Sequence, residues 1–207
     1  MKNNLFPISK EGWNYIAYAV VLFLVLGFLD LEFLQFFAFV GIMFFIYIYR
    51  NPERQIMALE KGGVVSPVDG NVSDLQEDKN STILTIESSY HDVSVLRVPI
   101  SCVVKNIKAI RGSSLGKNSS KSEILNEKLT IDFEDEQKRV ISISHLSTLN
   151  FANISHDLSE SQKLIQGFRY GVMPKGITKI ILPKGSKVNV NIGDELKGCE
   201  SIIAYLS

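Results

Sequence analysis

Residue types that can perform acid–base chemistry fall in two short segments of this chain. Asp69 lies in SPVDG at 66–70, and His91 and Ser94 lie in YHDVSVLRVP at 90–99. A carboxylate can orient an imidazole and stabilise its cationic form. An imidazole can act as a general base near neutral pH, whereas a serine hydroxyl cannot.

Each of these residues also has a purely structural interpretation. Asp69 precedes Gly70, and Asp-Gly turns are common. His91 and Ser94 are three positions apart, so on a strand their side chains would point to opposite faces. A lone histidine such as His91 is more often structural or exposed than catalytic.

Two apolar blocks precede these segments. Residues 13–29 contain only Asn14 as a strongly polar residue, and residues 33–49 contain only Gln35. Each block has about 17 residues, the short end of a membrane-spanning helix. The link at 30–32 is so short that it permits only an antiparallel hairpin. We therefore predict a transmembrane helical hairpin and its exit segment over residues 1–56.

Charged residues around the two blocks predict how the hairpin would be oriented. Lys2 and Lys10 precede the first block, Arg50 and Arg54 follow the second, and the link carries only acidic charges. The positive-inside rule then places both termini in the cytoplasm. The sequence thus predicts an inner (cytoplasmic) membrane protein with two transmembrane helices. A buried soluble hairpin is the alternative, although neither block has a polar face.

Residues 57–207 are predicted to form a cytoplasmic β domain. Apolar and polar residues alternate along several short segments, which Gly and Asp turns separate. The predicted strands include 82–87, 93–98, 129–133, 141–144, 178–182, 187–192 and 201–206. One soluble helix is predicted around 147–157. This pattern indicates a mainly β barrel or sandwich behind the N-terminal two-helix hairpin.

Composition excludes several classes of function. The 22 Lys and Arg balance the 22 Asp and Glu, so no basic bias points to a nucleic-acid partner. Cys102 and Cys199 are isolated, which fits neither a disulfide framework nor a zinc site. No metal site is predicted.

Five segments together resemble the phosphatidylserine decarboxylase family in its short bacterial type. These lyases make phosphatidylethanolamine in a membrane. The segments are YRNPER at 49–54, SPVDG at 66–70, YHDVSVLRVP at 90–99, KSEILNE at 121–127 and FRYGVMPKGITKIILP at 168–183. The resemblance covers most of the chain and implies the barrel- or sandwich-like fold of that family. The match at 121–127 is weak, and an exposed loop is an alternative there.

The resemblance also implies roles for individual residues. Asp69 occupies the position of an aspartate that polarises a histidine for self-cleavage. The shared Asp-Val, Val, Arg and Pro of segment 90–99 place the catalytic histidine of the family on Ser94. His91 matches the first histidine of longer family members. The catalytic candidates are therefore Asp69 and His91, with Ser94 as a substituted position.

A second substitution falls where the family forms its cofactor. There a Gly-Ser pair is cleaved, and the serine becomes a pyruvoyl group that acts as an electron sink. Counted forward from Arg169, the serine position is Ile177, and counted back from Pro183 it is Gly176. Neither count reaches a serine, and Thr178 would yield a ketobutyryl group instead. We therefore predict no cofactor; a pyruvoyl group is expected only if the chain is active.

These features predict a decarboxylase-related membrane protein of phospholipid metabolism that does not self-process and is catalytically inactive. Membrane phospholipid is the predicted ligand, and a second copy or an enzyme of phospholipid synthesis is the predicted protein partner. Two alternatives stay open. One is an active phosphatidylserine decarboxylase that uses unusual residues, and the other is a membrane-anchored barrel-sandwich binding module related only by fold.

Overall fold

The computed structural model describes residues 6–55, 62–78, 81–113, 115–116, 121–148 and 153–207. The chain divides into two compact units, residues 1–53 and 54–207. The predicted domain boundary at 56/57 lies outside the described residues. The first unit contains α1 (Gly12–Phe28) and α2 (Glu32–Ile48). The described part of the second contains the short helix α3 (Ser122–Leu125) and the strands.

The two long helices form a hairpin close to the predicted positions. Asp30 in the link has φ 55°, and the Leu31 N–H donates to the Leu26 carbonyl at 3.0 Å, which ends α1. Tyr15 near the start of α1 stacks on Phe45 near the end of α2, with ring centroids 5.6 Å apart. This end-to-start contact shows that the helices run antiparallel.

The membrane prediction for this hairpin is wrong. Over the described ranges, no helix combines the length and the apolar character needed to cross a bilayer. Each helix of the hairpin has 17 residues. At a rise of 1.5 Å per residue this spans about 25 Å, short of a hydrocarbon core of about 30 Å. The prediction of two transmembrane helices is therefore corrected. The predicted inner-membrane location with both termini in the cytoplasm depended on these helices and is corrected with it.

The second unit is built from strands, so the prediction of a mainly β protein is confirmed. The strands are β1 (Gly63–Val65), β2 (Gly70–Glu77), β3 (Ser81–Ser88), β4 (Val95–Arg97), β5 (Cys102–Ile110), β6 (Lys128–Glu134), β7 (Val140–Ser147), β8 (Ser155–His156), β9 (Lys163–Leu164), β10 (Arg169–Val172), β11 (Gly176–Pro183), β12 (Lys187–Val188), β13 (Glu195–Leu196) and β14 (Ile202–Tyr205).

An eight-stranded antiparallel sheet carries most of this unit. Its order is β13-β2-β3-β11-β7-β6-β5-β9, which places β11 in the middle between β3 and β7. Two three-stranded sheets, β1-β14-β12 and β4-β10-β8, accompany it. Alternate residues of the central strands are fully buried, as with Ile131 and Phe133 on β6 and Ile141 and Ile143 on β7. Their burial supplies the hydrophobic stabilisation of the core.

The helix predicted around 147–157 is wrong over its described residues. Ser147 ends β7, and Ser155 and His156 form β8. The backbone groups here find partners across the chain, since the Ser147 N–H donates to the Glu127 carbonyl at 3.0 Å. Residues 149–152 of that prediction lie outside the described ranges. Cross-strand pairing overrides the weak local helix propensity of these residues.

Candidate functional site

Asp69 lies directly before β2 and is buried, with 8% of its surface exposed. Its carboxylate accepts two hydrogen bonds from the Arg54 guanidinium, each 2.6 Å long. The backbone N–H groups of Gly198, at 2.8 Å, and Val93, at 3.4 Å, also donate to it. The predicted partner of this aspartate was an imidazole, whereas these bonds come from a fork-shaped guanidinium and the backbone. Such a bidentate ion pair holds the carboxylate in one orientation.

His91 and Ser94 lie in different environments. His91 is exposed in a turn that the Asp92 N–H closes onto the Ser89 carbonyl at 3.2 Å. Ser94 is 3% exposed, and its carbonyl accepts a hydrogen bond from the Met173 N–H at 2.8 Å. Both residues precede β4, which begins at Val95 rather than at the predicted position 93. A buried hydroxyl thus occupies the position where the resemblance expects a general base.

Gly176 opens β11 in the centre of the large sheet. Its cross-strand neighbours are Ser88 on β3 and Ser147 on β7. A Cβ atom added to Gly176 would run into the Leu146 carbonyl oxygen and the Met173 sulfur. Position 176 therefore accepts only glycine in this backbone. Of the two counts to the expected serine, only the forward one, which ends at Ile177, reaches a position that can carry a side chain.

Replacing Gly176 by serine is accordingly expected to destabilise the protein by about 1–3 kcal/mol, the usual cost of overpacking. Urea denaturation, monitored by circular dichroism, measures this loss of stability. Gly116→Ser is the matched control, because a Cβ there meets nothing within 4 Å. Equal stability of the two variants would show that position 176 tolerates a side chain.

Ile177 lines a cleft of about 330 Å³. Directly across the strands, Ile177 pairs with Glu87, and Glu87 pairs with Asn71, so these three side chains share one face of the sheet. The lining residues are Asn71, Ser73, Glu87, Ser88, Ser89, Asp92, Gly116, Thr148, Lys175, Gly176 and Ile177. Apart from the glycines and Ile177, every lining residue is polar or charged, so the cleft suits a small polar ligand.

The charged groups of the cleft are oriented by their neighbours. The Lys175 ammonium lies over the Tyr90 ring, 4.6 Å from its centroid, as a cation–π contact. The Asp92 carboxylate accepts hydrogen bonds from the Ser89 N–H at 2.6 Å and the Ser89 hydroxyl at 2.9 Å. Both charges are thus held in place at the cleft wall.

The segment 121–127 supports one wall of the cleft through its buried Asn126, while its Ile124 and Leu125 are exposed. Asn126 is 2% exposed. Its side chain exchanges two hydrogen bonds of 2.7 Å with the Leu115 backbone and donates to the Ser147 carbonyl at 2.9 Å. These bonds fix Leu115 and Ser147, which directly precede the lining residues Gly116 and Thr148 in the sequence. Glu127 is 9% exposed and accepts a hydrogen bond from the Ile154 N–H at 2.8 Å.

A buried polar group on the core face of the large sheet was missed from the sequence. His145 on β7 is fully buried. Its Nδ1 lies 2.8 Å from the Thr178 hydroxyl oxygen, and its Nε2 lies 2.6 Å from the Tyr170 hydroxyl oxygen. The alternation of 141–144 would have identified it, because His145 continues the buried positions 141 and 143. Burial lowers the pKa of His145 to about 3, so the imidazole is neutral near pH 7.

Ile177 and Thr178 point to opposite faces of β11. Ile177 is half-buried in the cleft, whereas Thr178 is fully buried beside His145. The Thr178 hydroxyl, one position after Ile177 in the sequence, is therefore enclosed in the core. Strand β11, which carries it, pairs with β3 on one side and with β7 on the other.

Comparison with known proteins now gives the family. The family model described as phosphatidylserine decarboxylase matches residues 42–204. A phosphatidylserine decarboxylase proenzyme of Geobacter metallireducens is 29% identical over 218 residues and covers 100% of both chains. One of Rickettsia bellii is 31% identical over 98% of this chain and 92% of its own length. No solved structure gave a significant match. Together with the motifs around Asp69 and Gly176, these matches show that the chain belongs to the phosphatidylserine decarboxylase family.

Proposed function

We propose that this chain is a family member of phospholipid metabolism that does not self-process and has no decarboxylase activity. In this role it holds a phospholipid headgroup in the cleft beside Ile177. The observation that carries the proposal is Ile177 itself. It occupies the only position at the expected cleavage site that accepts a side chain, and its aliphatic group has no nucleophile.

The residues at this site do not fit a pyruvoyl group. That group is made from a serine of the chain itself, whose hydroxyl must attack the preceding carbonyl. Ile177 offers no hydroxyl, and the preceding Gly176 lies in a strand paired on both sides. Without the group, the chain has no electron sink for a decarboxylation.

Two further residues support the loss of self-processing. Ser94 takes the place of the expected imidazole, and a hydroxyl is not a general base near neutral pH. Asp69 is engaged by Arg54 through two bonds of 2.6 Å. The carboxylate is therefore directed at a guanidinium and not at a base that could be polarised.

The intact mass of the purified full-length protein tests this proposal. A single chain of 23.2 kDa is the expected result. Two chains, with a carbonyl-bearing, blocked N-terminus on the smaller one, would overturn it. The mass also distinguishes this proposal from an alternative that has a structural basis, namely an active enzyme that uses Thr178 as its nucleophile. The Thr178 hydroxyl lies 2.8 Å from His145 Nδ1, so this rival predicts cleavage directly before Thr178 and a ketobutyryl group.

Restoring the nucleophile alone is not expected to restore cleavage. The Ile177→Ser variant should still run as one chain of 23.2 kDa, because Ser94 supplies no base and Asp69 stays bound to Arg54. Mass spectrometry after prolonged incubation measures the outcome. Ile181→Ser, a 40% exposed position on the same strand, controls for the effect of a serine on folding. Cleavage of the Ile177→Ser variant would show that the remaining machinery is intact.

A further inference from the structure

A cluster of basic and aliphatic side chains lies where β5 ends and α3 begins. Its members, called the basic–apolar patch below, are all exposed: Lys108, Ile110, Arg111, Lys121, Ile124 and Leu125. Ile124 and Leu125 are 80% and 48% exposed. Aliphatic side chains as exposed as these, grouped beside cations, mark an interaction surface.

Backbone hydrogen bonds hold the two segments of the patch side by side. The Ser113 N–H donates to the Leu125 carbonyl at 2.7 Å, and the Glu127 N–H donates to the Ser113 carbonyl at 2.8 Å. Ile110 on β5 pairs directly with Lys128 on β6, the strand that follows α3 in the chain. The residues of the patch are therefore neighbours in the folded protein, although they come from two separate segments of the chain.

This region is positively charged in a chain that has no net charge. Residues 108–128 contain five Lys or Arg and two Glu, which gives a formal net charge of +3. Of the two acids, Glu127 is only 9% exposed and accepts a hydrogen bond from the Ile154 N–H at 2.8 Å. Within the described ranges, Lys108 and Arg111 form no ion pair with a carboxylate. Their charges are therefore available to an anionic partner.

The patch lies on the same face of the large sheet as the cleft. Ile110, Lys128, Leu146 and Ile177 pair with one another in turn across β5, β6, β7 and β11. Directly paired residues project from the same face of a sheet. Neighbouring strands are about 4.8 Å apart, so three spacings place Ile110 about 14 Å from Ile177. A flat partner that covers the patch would therefore also face the cleft.

From these observations we infer that the basic–apolar patch attaches the protein to the surface of an anionic phospholipid bilayer. Lys108, Arg111 and Lys121 contact the lipid phosphates, and Ile124 and Leu125 enter the layer just below them. Lipid is favoured over an acidic protein, because a bilayer offers an apolar phase directly below its phosphates. Such attachment requires no helix that crosses the bilayer. The inference goes beyond the proposed function, since it does not depend on a headgroup in the cleft.

Flotation of the full-length protein with phospholipid vesicles tests the role of the charges. Vesicles of phosphatidylcholine mixed with phosphatidylglycerol should bind more tightly than vesicles of phosphatidylcholine alone, which measure any binding through the apolar hairpin. Lys108→Gln combined with Arg111→Gln should weaken binding to the anionic vesicles about 10- to 30-fold, since each basic residue near such a surface contributes about a factor of 5. Lys184→Gln combined with Lys187→Gln is the matched control. These exposed lysines follow the end of β11 that is remote from the cleft, so binding should change little.

A second pair of substitutions tests the apolar contacts. Ile124→Ser combined with Leu125→Ser should weaken binding to the anionic vesicles about 10-fold or more, because it removes the side chains that enter the layer. Ile165→Ser combined with Ile192→Ser, at positions that are 69% and 61% exposed outside the patch, should leave binding unchanged. Circular dichroism of each variant confirms that the fold is retained.

Equal binding to the neutral and the anionic vesicles, or unchanged binding of either patch variant, would overturn the inference. Poly-glutamate tests the other class of partner. If the charge variant loses binding to poly-glutamate while it still binds the vesicles, the patch belongs to an acidic protein and the lipid assignment is wrong. The intact mass of the same sample reports separately on self-processing, so the two proposals can fail independently.

Discussion

Replacing Arg54 by methionine is expected to lower the free energy of unfolding by about 3–5 kcal/mol, because it leaves the Asp69 carboxylate buried without its guanidinium. The side chains of Arg54 and Asp69 are only 8% and 12% exposed, and their closest N–O distance is 2.6 Å. The same substitution removes the hydrogen bond that Arg54 donates to the Gly198 carbonyl at 2.9 Å. Asp69→Asn should have an effect of the same sign, since it leaves the Arg54 charge without its countercharge.

Urea denaturation of the full-length protein measures these effects, and a double-mutant cycle isolates the coupling between the two residues. The pair Lys105–Glu134 is a matched control. Its side chains are 54% and 28% exposed, and its N–O distance is 3.3 Å. Removing one partner there should cost no more than about 1 kcal/mol. A loss for Arg54→Met as small as that of the control would mean that the buried pair does not hold Asp69 in place.

His145 is expected to make the protein unstable in acid. Burial lowers the pKa of His145 in the folded state to about 3, below its ordinary value of 6.5. Between these values the unfolded chain binds a proton that the folded chain excludes, so stability falls as the pH decreases from 6.5 towards 3. At pH 4 this amounts to a loss of about 3 kcal/mol relative to pH 7.

Urea titrations at a series of pH values between 7 and 4 measure the free energy of unfolding of the wild type and of His145→Gln, which removes the titrating group. The readout is the difference between the two proteins in how this free energy depends on pH. The variant should be less stable at pH 7, because it loses the bonds to Thr178 and Tyr170, yet it should lose less stability on acidification. His91→Gln, at an exposed position, is the control. Parallel pH profiles for the wild type and His145→Gln would refute the assignment.

Family membership was accessible from the sequence because it depends on short motifs whose letters can be compared one by one. The mainly β character was accessible for a similar reason, since the alternation at 129–133 and 141–144 has the period of a strand. The two helical blocks were also identified to within one residue of α1 and α2. The membrane-spanning role predicted for these two blocks was wrong, because it depends on how far a helix extends, and both helices end after 17 residues.

The arrangement at the site required the tertiary structure. Arg54 and Asp69 are 15 positions apart, and the exit motif at 49–54 gave no indication that its last arginine binds the aspartate of SPVDG. The burial of His145 follows from the alternation along β7, but its contacts come from Thr178 and Tyr170 on other strands and have no local signal in the sequence. The support that Asn126 gives to Leu115 and Ser147 likewise depends on contacts between segments that are distant in the sequence.

Residue identity and spacing were enough to indicate the family, and they also leave Gly176 and Ile177 without a side-chain nucleophile. The tertiary structure was needed to tell which of these two positions can carry a side chain. The Leu146 carbonyl and the Met173 sulfur leave no room for a side chain at Gly176. It also decided that Ile177 faces a polar cleft while Thr178 faces the core. Alternation along β11 sets these directions, but only the neighbouring strands β3 and β7 determine what lies on each face.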